Sequence, residues 1–303
     1  MPALSLDRPR RSALYMPASN PKALAKARSL PADIIILDLE DAVAPDKKDE
    51  ARDAAMALLY SGGFGDREVA VRVNGLDTPW GAADLEAVAL SGADAVLVPK
   101  VNGPQDVLRY HEALSHAPGD LQLWAMIETC ASVLHLDAIG ALSKSTRLAL
   151  WVLGLNDLAK EMRAKPDASR SIFHPFMAMA VAAARAHHIS VLDAVCNEFR
   201  HIDAFTTEAM QGAAFGFDGK SLIHPDQIAP CNAAFSPSAE ELAQAQAIIE
   251  AFALPENQDK GVIQVGGQMV ELLHQTQAQA LLKRAKRMGL LSGSDEPSLM
   301  SFS

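Results

Sequence analysis

Short apolar runs recur along the chain and alternate with amphipathic stretches that suit helices. The runs begin near Ser12, Ile34, Val69, Ala95, Leu121, Leu148, Ile189 and Ala213. The stretch from one start to the next has the length that a strand followed by a helix requires. Eight such units at regular spacing predict a (β/α)8 barrel, the TIM barrel fold, rather than two ordinary domains.

The sequence after the eighth run does not continue this repeat. Ser238 and Glu241 have the spacing of a capping box, and an amphipathic helix is predicted from about Met269 to Met288. Its apolar stripe would find nothing left to cover in its own barrel. We therefore predict a barrel domain over residues 1–235 and an extension over 236–303 that closes over a site or packs on a neighbouring subunit. The stripe comprises Met269, Val270, Leu272, Leu273, Leu281 and Leu282.

The run with the clearest chemistry is Ile34–Arg52, IIILDLEDAVAPDKKDEAR, in which an apolar strand leads directly into Asp38, Glu40 and Asp41. Such an apolar strand suits a parallel sheet that is covered on both faces. Ligands bind at the carboxyl ends of these strands, and three crowded acids would repel one another there unless a metal ion or a basic group lay among them. The alternative is that Asp41 or Asp46 caps the next helix and the other acids are solvated.

Two further acids occupy equivalent positions in consecutive units. Glu128 ends the fifth strand, and Asp157 follows the sixth strand 29 residues later. We expect both side chains to project from adjacent strands toward one point above the barrel. Two carboxylates with room for waters and substrate oxygens suit Mg²⁺. Either acid alone would more simply be a helix cap or a surface residue, and it is their pairing that favours a metal site.

A third candidate is Arg72, which follows the alternating apolar run of the third strand. A guanidinium fixed at the barrel mouth could hold a carboxylate or stabilise an enolate oxygen. The alternative is a structural ion pair with the acids of the second strand, and both roles can hold together.

Charge and composition narrow the choice of partners. The formal net charge is -10, which argues against nucleic acid or an anionic membrane as a partner. Three cysteines without CxxC spacing predict neither a disulfide framework nor a zinc site, and no apolar run is long enough to span a bilayer, so we expect a cytoplasmic protein. The basic residues near the start form either a pocket for an anionic small molecule or a solvated arm and helix face. They are Arg8, Arg10, Arg11, Lys22 and Lys26.

Six sequence blocks, taken together and in order, carry a family resemblance. They are RRSALYMPASNPKALAKA, ILDLEDAVAPDKKDEAR, RVNGLDTPW, the Glu128 strand, LGLNDLAKE and FGFDGKSLIHP. They resemble the HpcH/HpaI aldolase and citrate lyase β-subunit family, in its CoA-ester lyase branch. The resemblance implies a (β/α)8 barrel in which Glu128 and Asp157 hold Mg²⁺. It also implies that Glu40 and Asp41 order waters and that Arg72 contacts the substrate.

The same resemblance implies the substrate and the assembly. Members of this branch cleave or form β-hydroxyacyl thioesters, such as malyl-, citramalyl- or citryl-CoA, and the products of cleavage are acetyl-CoA and a 2-keto acid. CoA would lie along the barrel mouth with its phosphates on Arg11 and Lys26, and Lys220 would line the same channel. A homotrimer or hexamer is implied.

The tail departs from the family pattern at one position. CoA lyases usually read M-[VI]-D after the short strand, and the Asp serves as acid/base in a neighbouring subunit; here the segment is Met269-Val270-Glu271. We expect Glu271 to take that role, the alternative being a solvated helix acid. Two other functions stay open: an aldolase that releases pyruvate without CoA, and a citrate lyase β-like subunit that acts only on an acyl carrier protein.

Overall fold

A computed structural model describes residues 8–291 of the chain. This part of the chain divides into a larger compact unit, Arg10–Phe235, and a smaller one that begins at Ser236. In the larger unit, eight strands form a closed barrel in sequence order, and every neighbouring pair is parallel. The predicted TIM barrel is confirmed.

The barrel strands begin close to where the apolar runs predict them. Seven of the eight starts agree within one residue, but the eighth prediction, near Ala213, is wrong by six residues. Ala213 lies in the preceding helix, which is capped by Gly216 with a left-handed φ of 92°. The strands are β1 (Ser12–Pro17), β2 (Ile34–Asp38), β3 (Glu68–Arg72), β4 (Ala95–Val98), β5 (Gln122–Ile127), β6 (Leu148–Leu153), β7 (Ser190–Asp193) and β8 (Gly219–Leu222).

Helices follow the strands and cover the outside of the barrel. Asn20 caps the first of them through its side chain, and Pro21 occupies the first helical position. Within residues 8–291 each helix is too short or too polar to cross a membrane. The helices of this unit are α1 (Pro21–Lys26), α2 (Lys48–Tyr60), α3 (Gly81–Ala89), α4 (Pro104–Ala113), α5 (Cys130–Leu134), α6 (Leu136–Ala141), α7 (Leu155–Met162), α8 (His174–Ala186), α9 (Ile202–Phe215) and α10 (Ile228–Ala234).

Both faces of the barrel strands are buried, because successive side chains point to opposite sides. Ile36 and Trp124 belong to the cluster that the barrel encloses. Ile35 and Trp151 belong to the larger cluster between strands and helices. Polar side chains are therefore left to the strand ends, where the candidate site lies.

The smaller unit contains α11 (Ala239–Ala253), an antiparallel hairpin of β9 (Val262–Val265) and β10 (Gln268–Glu271), and α12 (Leu272–Arg287). Ser238 and Glu241 form the predicted capping box of α11. Apolar residues from both helices and the hairpin form a small core of their own.

The apolar stripe predicted for the tail is only partly without a partner. The helix begins at Leu272 rather than at Met269, because Met269 and Val270 belong to β10. Leu281 and Leu282 pack against the core of their own unit, whereas Leu272 and Leu273 are 52% and 62% exposed.

Candidate active site

The centre of the site is the pair formed by Arg72 and Asp38, the last residues of β3 and β2. The strand register places them side by side. Nε and Nη2 of Arg72 donate to Oδ1 and Oδ2 of Asp38, both at 2.7 Å, and the guanidinium lies 4.8 Å from the ring centroid of Tyr15. Burial lowers the pKa of Arg72, but the negative charge of Asp38 and its hydrogen bonds outweigh this effect and hold the pKa well above its usual value. Arg72 is therefore a permanent cation in a fixed orientation.

The remaining guanidinium nitrogen faces the two acids of the loop that follows β2. Nη1 of Arg72 lies 2.9 Å from Oε2 of Glu40 and 3.7 Å from Oδ2 of Asp41. The second oxygen of Glu40 lies 3.7 Å from Nζ of Lys100. The ion pair that the sequence left as an alternative role for Arg72 is therefore present. Arg72 also lines the cavity at the barrel mouth, so a contact with substrate is compatible with this pairing.

Asp38 also accepts hydrogen bonds from the backbone of the loop that follows β2. Its Oδ1 accepts the backbone N–H of Glu40 at 3.0 Å, and its Oδ2 accepts that of Ala42 at 3.3 Å. The three acids of this segment are therefore not equivalent. Asp38 is a buried structural partner, Glu40 is buried beside Arg72, and Asp41 is largely exposed.

Glu128 and Asp157 come together as the sequence predicts. Glu128 directly follows β5, Asp157 lies in the first turn of α7 after β6, and both line one cavity of about 410 Å³ at the carboxyl ends of the strands. The backbone N–H of Lys100, a residue with a left-handed φ of 50°, donates to Oε1 of Glu128 at 2.8 Å. The cavity is also lined by Tyr15, Asp41, Arg72, Asn156, Asn197 and Ser221.

The site carries more negative charge than its own cations balance. Burial raises the pKa of Glu128 to about 7; the Lys100 hydrogen bond opposes this rise, and the charges of Glu40 and Asp157 add to it. Burial likewise raises the pKa of Glu40 to about 7, with Arg72 opposing and Asp41 adding. A divalent cation between Glu128 and Asp157 would relieve this repulsion. Within residues 8–291, no group of three or more His, Cys, Asp or Glu side chains is placed to hold a metal ion.

Gly154, between β6 and α7, is a site residue that the sequence reasoning missed. A Cβ at this position would lie 2.5 Å from Cβ of Glu128, closer than side chains can approach, and would be in tight contact with Cε of Met126 at 3.2 Å. Its φ of -117° is open to any residue, so glycine is needed here for space. The signal was the glycine three residues before Asp157 in LGLND.

Two of the three cations predicted to contact CoA phosphates or to line the CoA channel lie away from the cavity. Arg11 directly precedes β1 and pairs with Asp33, Nε to Oδ2 at 2.8 Å, at the end of the barrel opposite the mouth. Lys220 is 0% exposed, and its Nζ lies 2.9 Å from Asp193 and 2.7 Å from Glu208 of α9. The cavity at the barrel mouth is lined by neither Arg11 nor Lys220, and both form ion pairs within the fold, so this geometry does not support their predicted roles toward CoA.

Lys26 and Glu271 stay predictions. Lys26 is the exposed last residue of α1. Glu271 ends β10 in the smaller unit, is exposed, and donates its backbone N–H to Nδ1 of His274 at 3.0 Å. Its expected contact belongs to a neighbouring subunit.

Comparisons with known proteins show which family the chain resembles. The model of the family HpcH/HpaI aldolase/citrate lyase matches residues 11–225. A (3S)-malyl-CoA thioesterase of Cereibacter sphaeroides (strain KD131 / KCTC 12085) is 44% identical over 286 residues, which cover 94% of this chain and 98% of that protein. Citrate lyase subunit beta of Escherichia coli (strain K12) is 34% identical over 292 residues, covering 93% of this chain and 95% of that protein.

Solved structures show the same similarity. The crystal structure of protein CitE from Mycobacterium tuberculosis in complex with magnesium, acetoacetate and coenzyme A has a TM-score of 0.75 at 30% identity, covering 91% of this chain and 97% of that one. A second CitE structure, in complex with magnesium and pyruvate, has a TM-score of 0.69 at 27% identity and covers 92% of this chain and 99% of that one.

Proposed function

Because the chain belongs to the HpcH/HpaI aldolase/citrate lyase family, we propose that it is a Mg²⁺-dependent lyase that cleaves or forms a β-hydroxyacyl-CoA thioester of the malyl type. The products of cleavage would be acetyl-CoA and a 2-keto acid. The observation that carries the proposal is one cavity lined by Glu128, Asp157 and a buried, oriented Arg72. The CitE complexes with magnesium, coenzyme A and small keto acids support this choice of ligands.

Glu128 and Asp157 would hold the metal ion. Their uncompensated charge and their oxygen donors fit Mg²⁺, with water or substrate oxygens in the rest of its shell. When bound, Mg²⁺ would polarise the oxygens of the hydroxy acid and favour loss of the hydroxyl proton.

The chain's own residues would supply the rest of the chemistry. Cleavage breaks the carbon–carbon bond next to the hydroxyl carbon and leaves its electron pair on the thioester enolate, which must then be protonated to acetyl-CoA. Arg72 would stabilise the enolate or substrate carboxylate without reorganisation, since Asp38 and Tyr15 already hold it. Glu40 and Asp41 would order waters. Glu271 of a neighbouring subunit would handle the proton of the acetyl methyl group.

Hydrolysis of the thioester is a second candidate, because a (3S)-malyl-CoA thioesterase is 44% identical to this chain. In this reaction Glu40 would serve as the general base. Its pKa of about 7 suits proton transfer near neutrality, and Arg72 lies 2.9 Å from it. Hydrolysis would add water at the thioester carbonyl and release free CoA and the hydroxy acid, with the carbon chain intact.

The products separate these functions. The purified protein would be incubated with Mg²⁺ and malyl-, citramalyl- or citryl-CoA, with EDTA and an Asp157→Ala variant as controls. Acetyl-CoA together with a keto acid supports the lyase, and free CoA together with the hydroxy acid supports hydrolysis. Turnover of a free hydroxy-keto acid without CoA would instead indicate an aldolase, and activity only on an acyl carrier protein would indicate a citrate lyase β-like subunit. The cytoplasmic location and the homotrimer or hexamer stay predictions.

A further inference from the structure

A buried lysine that takes no part in the proposed chemistry hydrogen-bonds to the backbone of the loop after β2. Lys48, the first residue of α2, is 6% exposed, and its Nζ donates to the carbonyl oxygens of Leu39 and Glu40, both at 2.8 Å. The ammonium lies 5.4 Å from the ring centroid of Trp80. Burying an ammonium ion is costly because it loses its hydration. The two carbonyls do not require this cation, since each could hydrogen-bond to water in an open loop.

A second set of contacts converges on the same peptide group. Nδ2 of Asn74 donates to the carbonyl oxygen of Leu39 at 3.0 Å and to Oδ2 of Asp84 at 2.6 Å. Asp84 is fully buried, and its other oxygen accepts from Nη1 of Arg52 at 3.0 Å. The carbonyl of Leu39 is therefore fixed by residues from α2 and from the end of β3 at once.

These contacts also fix the backbone of Glu40. Its carbonyl is held by Lys48, and its N–H donates to Oδ1 of Asp38 at 3.0 Å, so both main-chain groups are tied to buried charges. The side chain that leaves this fixed backbone reaches Nη1 of Arg72 at 2.9 Å. Only the side-chain torsions of Glu40 are left to vary.

We propose that Lys48 is a positioning residue that acts through Glu40, by holding the backbone of residues 39 and 40 so that the Glu40 carboxylate meets Arg72 at the barrel mouth. The proposal rests on the proposed function, in which Glu40 orders or activates water in that place. Without the ammonium, each carbonyl keeps only a neutral donor, Nδ2 of Asn74 for Leu39 and the N–H of Val43 for Glu40, and we expect the loop to shift. A displacement of about 1 Å at a reacting centre can cost about 10²-fold in rate.

The test compares Lys48→Met with Lys47→Met. Methionine keeps an unbranched stem and a good helix propensity but removes the donors. Lys47 is the matched control, because its ammonium is exposed and pairs across the surface with Glu50 at 2.9 Å. We expect Lys48→Met to lower kcat by about 10- to 100-fold with KM for the CoA ester nearly unchanged, and Lys47→Met to leave both unchanged. Lys48→Arg, which keeps the charge and the donors, should recover part of kcat.

A double-mutant cycle separates positioning from general damage. If Lys48 acts through Glu40, adding Lys48→Met to Glu40→Gln should cost less than about 3-fold further in kcat, because the group being positioned is already gone. If the parent protein is active and the kcat losses of Lys48→Met and Glu40→Gln multiply in the double variant, the positioning role of Lys48 is refuted. The proposed function is not affected by that result.

Hydrogen exchange provides a readout that does not depend on activity. The amide of Val43, which donates to the carbonyl of Glu40 at 2.9 Å, should lose protection by at least about 10-fold in Lys48→Met and keep it in Lys47→Met. If the protection of Val43 is unchanged in Lys48→Met, the positioning proposal is overturned. This readout does not require turnover of a CoA ester. Absence of turnover in the parent protein would refute the proposed function, which is a separate result. If Lys48→Met does not fold, Lys48→Gln takes its place, since the shorter amide cannot serve both carbonyls.

Discussion

Replacing Glu128 with Gln should stabilise the metal-free protein and at the same time abolish its response to Mg²⁺. Glu128 is 2% exposed, and its pKa is raised from an ordinary 4.5 to about 7. Between these two values the folded protein binds more protons than the unfolded chain, so stability falls as the pH rises through this window, and the full penalty remains above pH 7. The difference corresponds to about 3 kcal/mol. Gln has nearly the same shape and keeps an acceptor for the N–H of Lys100.

Denaturant unfolding in EDTA would measure this effect. The free energy of unfolding of Glu128→Gln should exceed that of the parent by less than about 1 kcal/mol at pH 5 and by about 3 kcal/mol at pH 8. Added Mg²⁺ should then stabilise the parent but not the variant, because binding to the folded state adds to stability. Glu68→Gln is the matched control: Glu68 is as deeply buried but pairs with Arg10 at 2.7 Å, so its loss should destabilise by about 3 to 5 kcal/mol.

Two results would refute this reasoning. If Glu128→Gln unfolds more easily than the parent in EDTA at pH 8, the buried carboxylate is not a source of strain in the metal-free site. If Mg²⁺ still stabilises the variant as it does the parent, Glu128 is not a ligand of the ion.

Four further outcomes follow from the site and the tail. Arg72→Lys should lower kcat more than it weakens CoA binding, since lysine loses the planar fork that Asp38 orients; an unchanged kcat would reduce Arg72 to a structural partner. Gly154→Ala should weaken Mg²⁺ binding by displacing Glu128, and an unaltered dissociation constant in calorimetry would contradict the close contact. Glu271→Gln should cut turnover by roughly 10² to 10⁴, the usual worth of a general acid/base, and parent-like rates on every CoA ester accepted would show that the proton is handled elsewhere. Light scattering should report a trimer or a multiple of it, and a monomer at micromolar concentration would argue directly against the expected assembly.

Local pattern in the sequence was enough to predict the barrel and the convergence of its acids. Apolar runs mark buried strands, and strands that each carry a following helix must all run in one direction. The carboxyl ends of β5 and β6 then meet at one mouth, which brings Glu128 and Asp157 to the same cavity without any knowledge of their contacts. The start of the eighth strand was misplaced, because the apolar residues near Ala213 suit a helix end as well as a strand.

Only the tertiary structure decided which charged groups serve the site and which serve the fold. Arg11 and Arg72 are both arginines beside a strand, but one lies before its strand and the other ends one, so they belong to opposite ends of the barrel. Lys48 and Lys220 are both buried, yet one holds the loop of Glu40 and the other an ion pair behind the sheet. Strand register and the face on which a side chain leaves the backbone determine which partner each charged group meets. Both depend on long-range pairing, since a shift of the register by one residue moves every side chain of a strand to the opposite face. Composition and spacing along the chain do not show which partner each charged side chain will have.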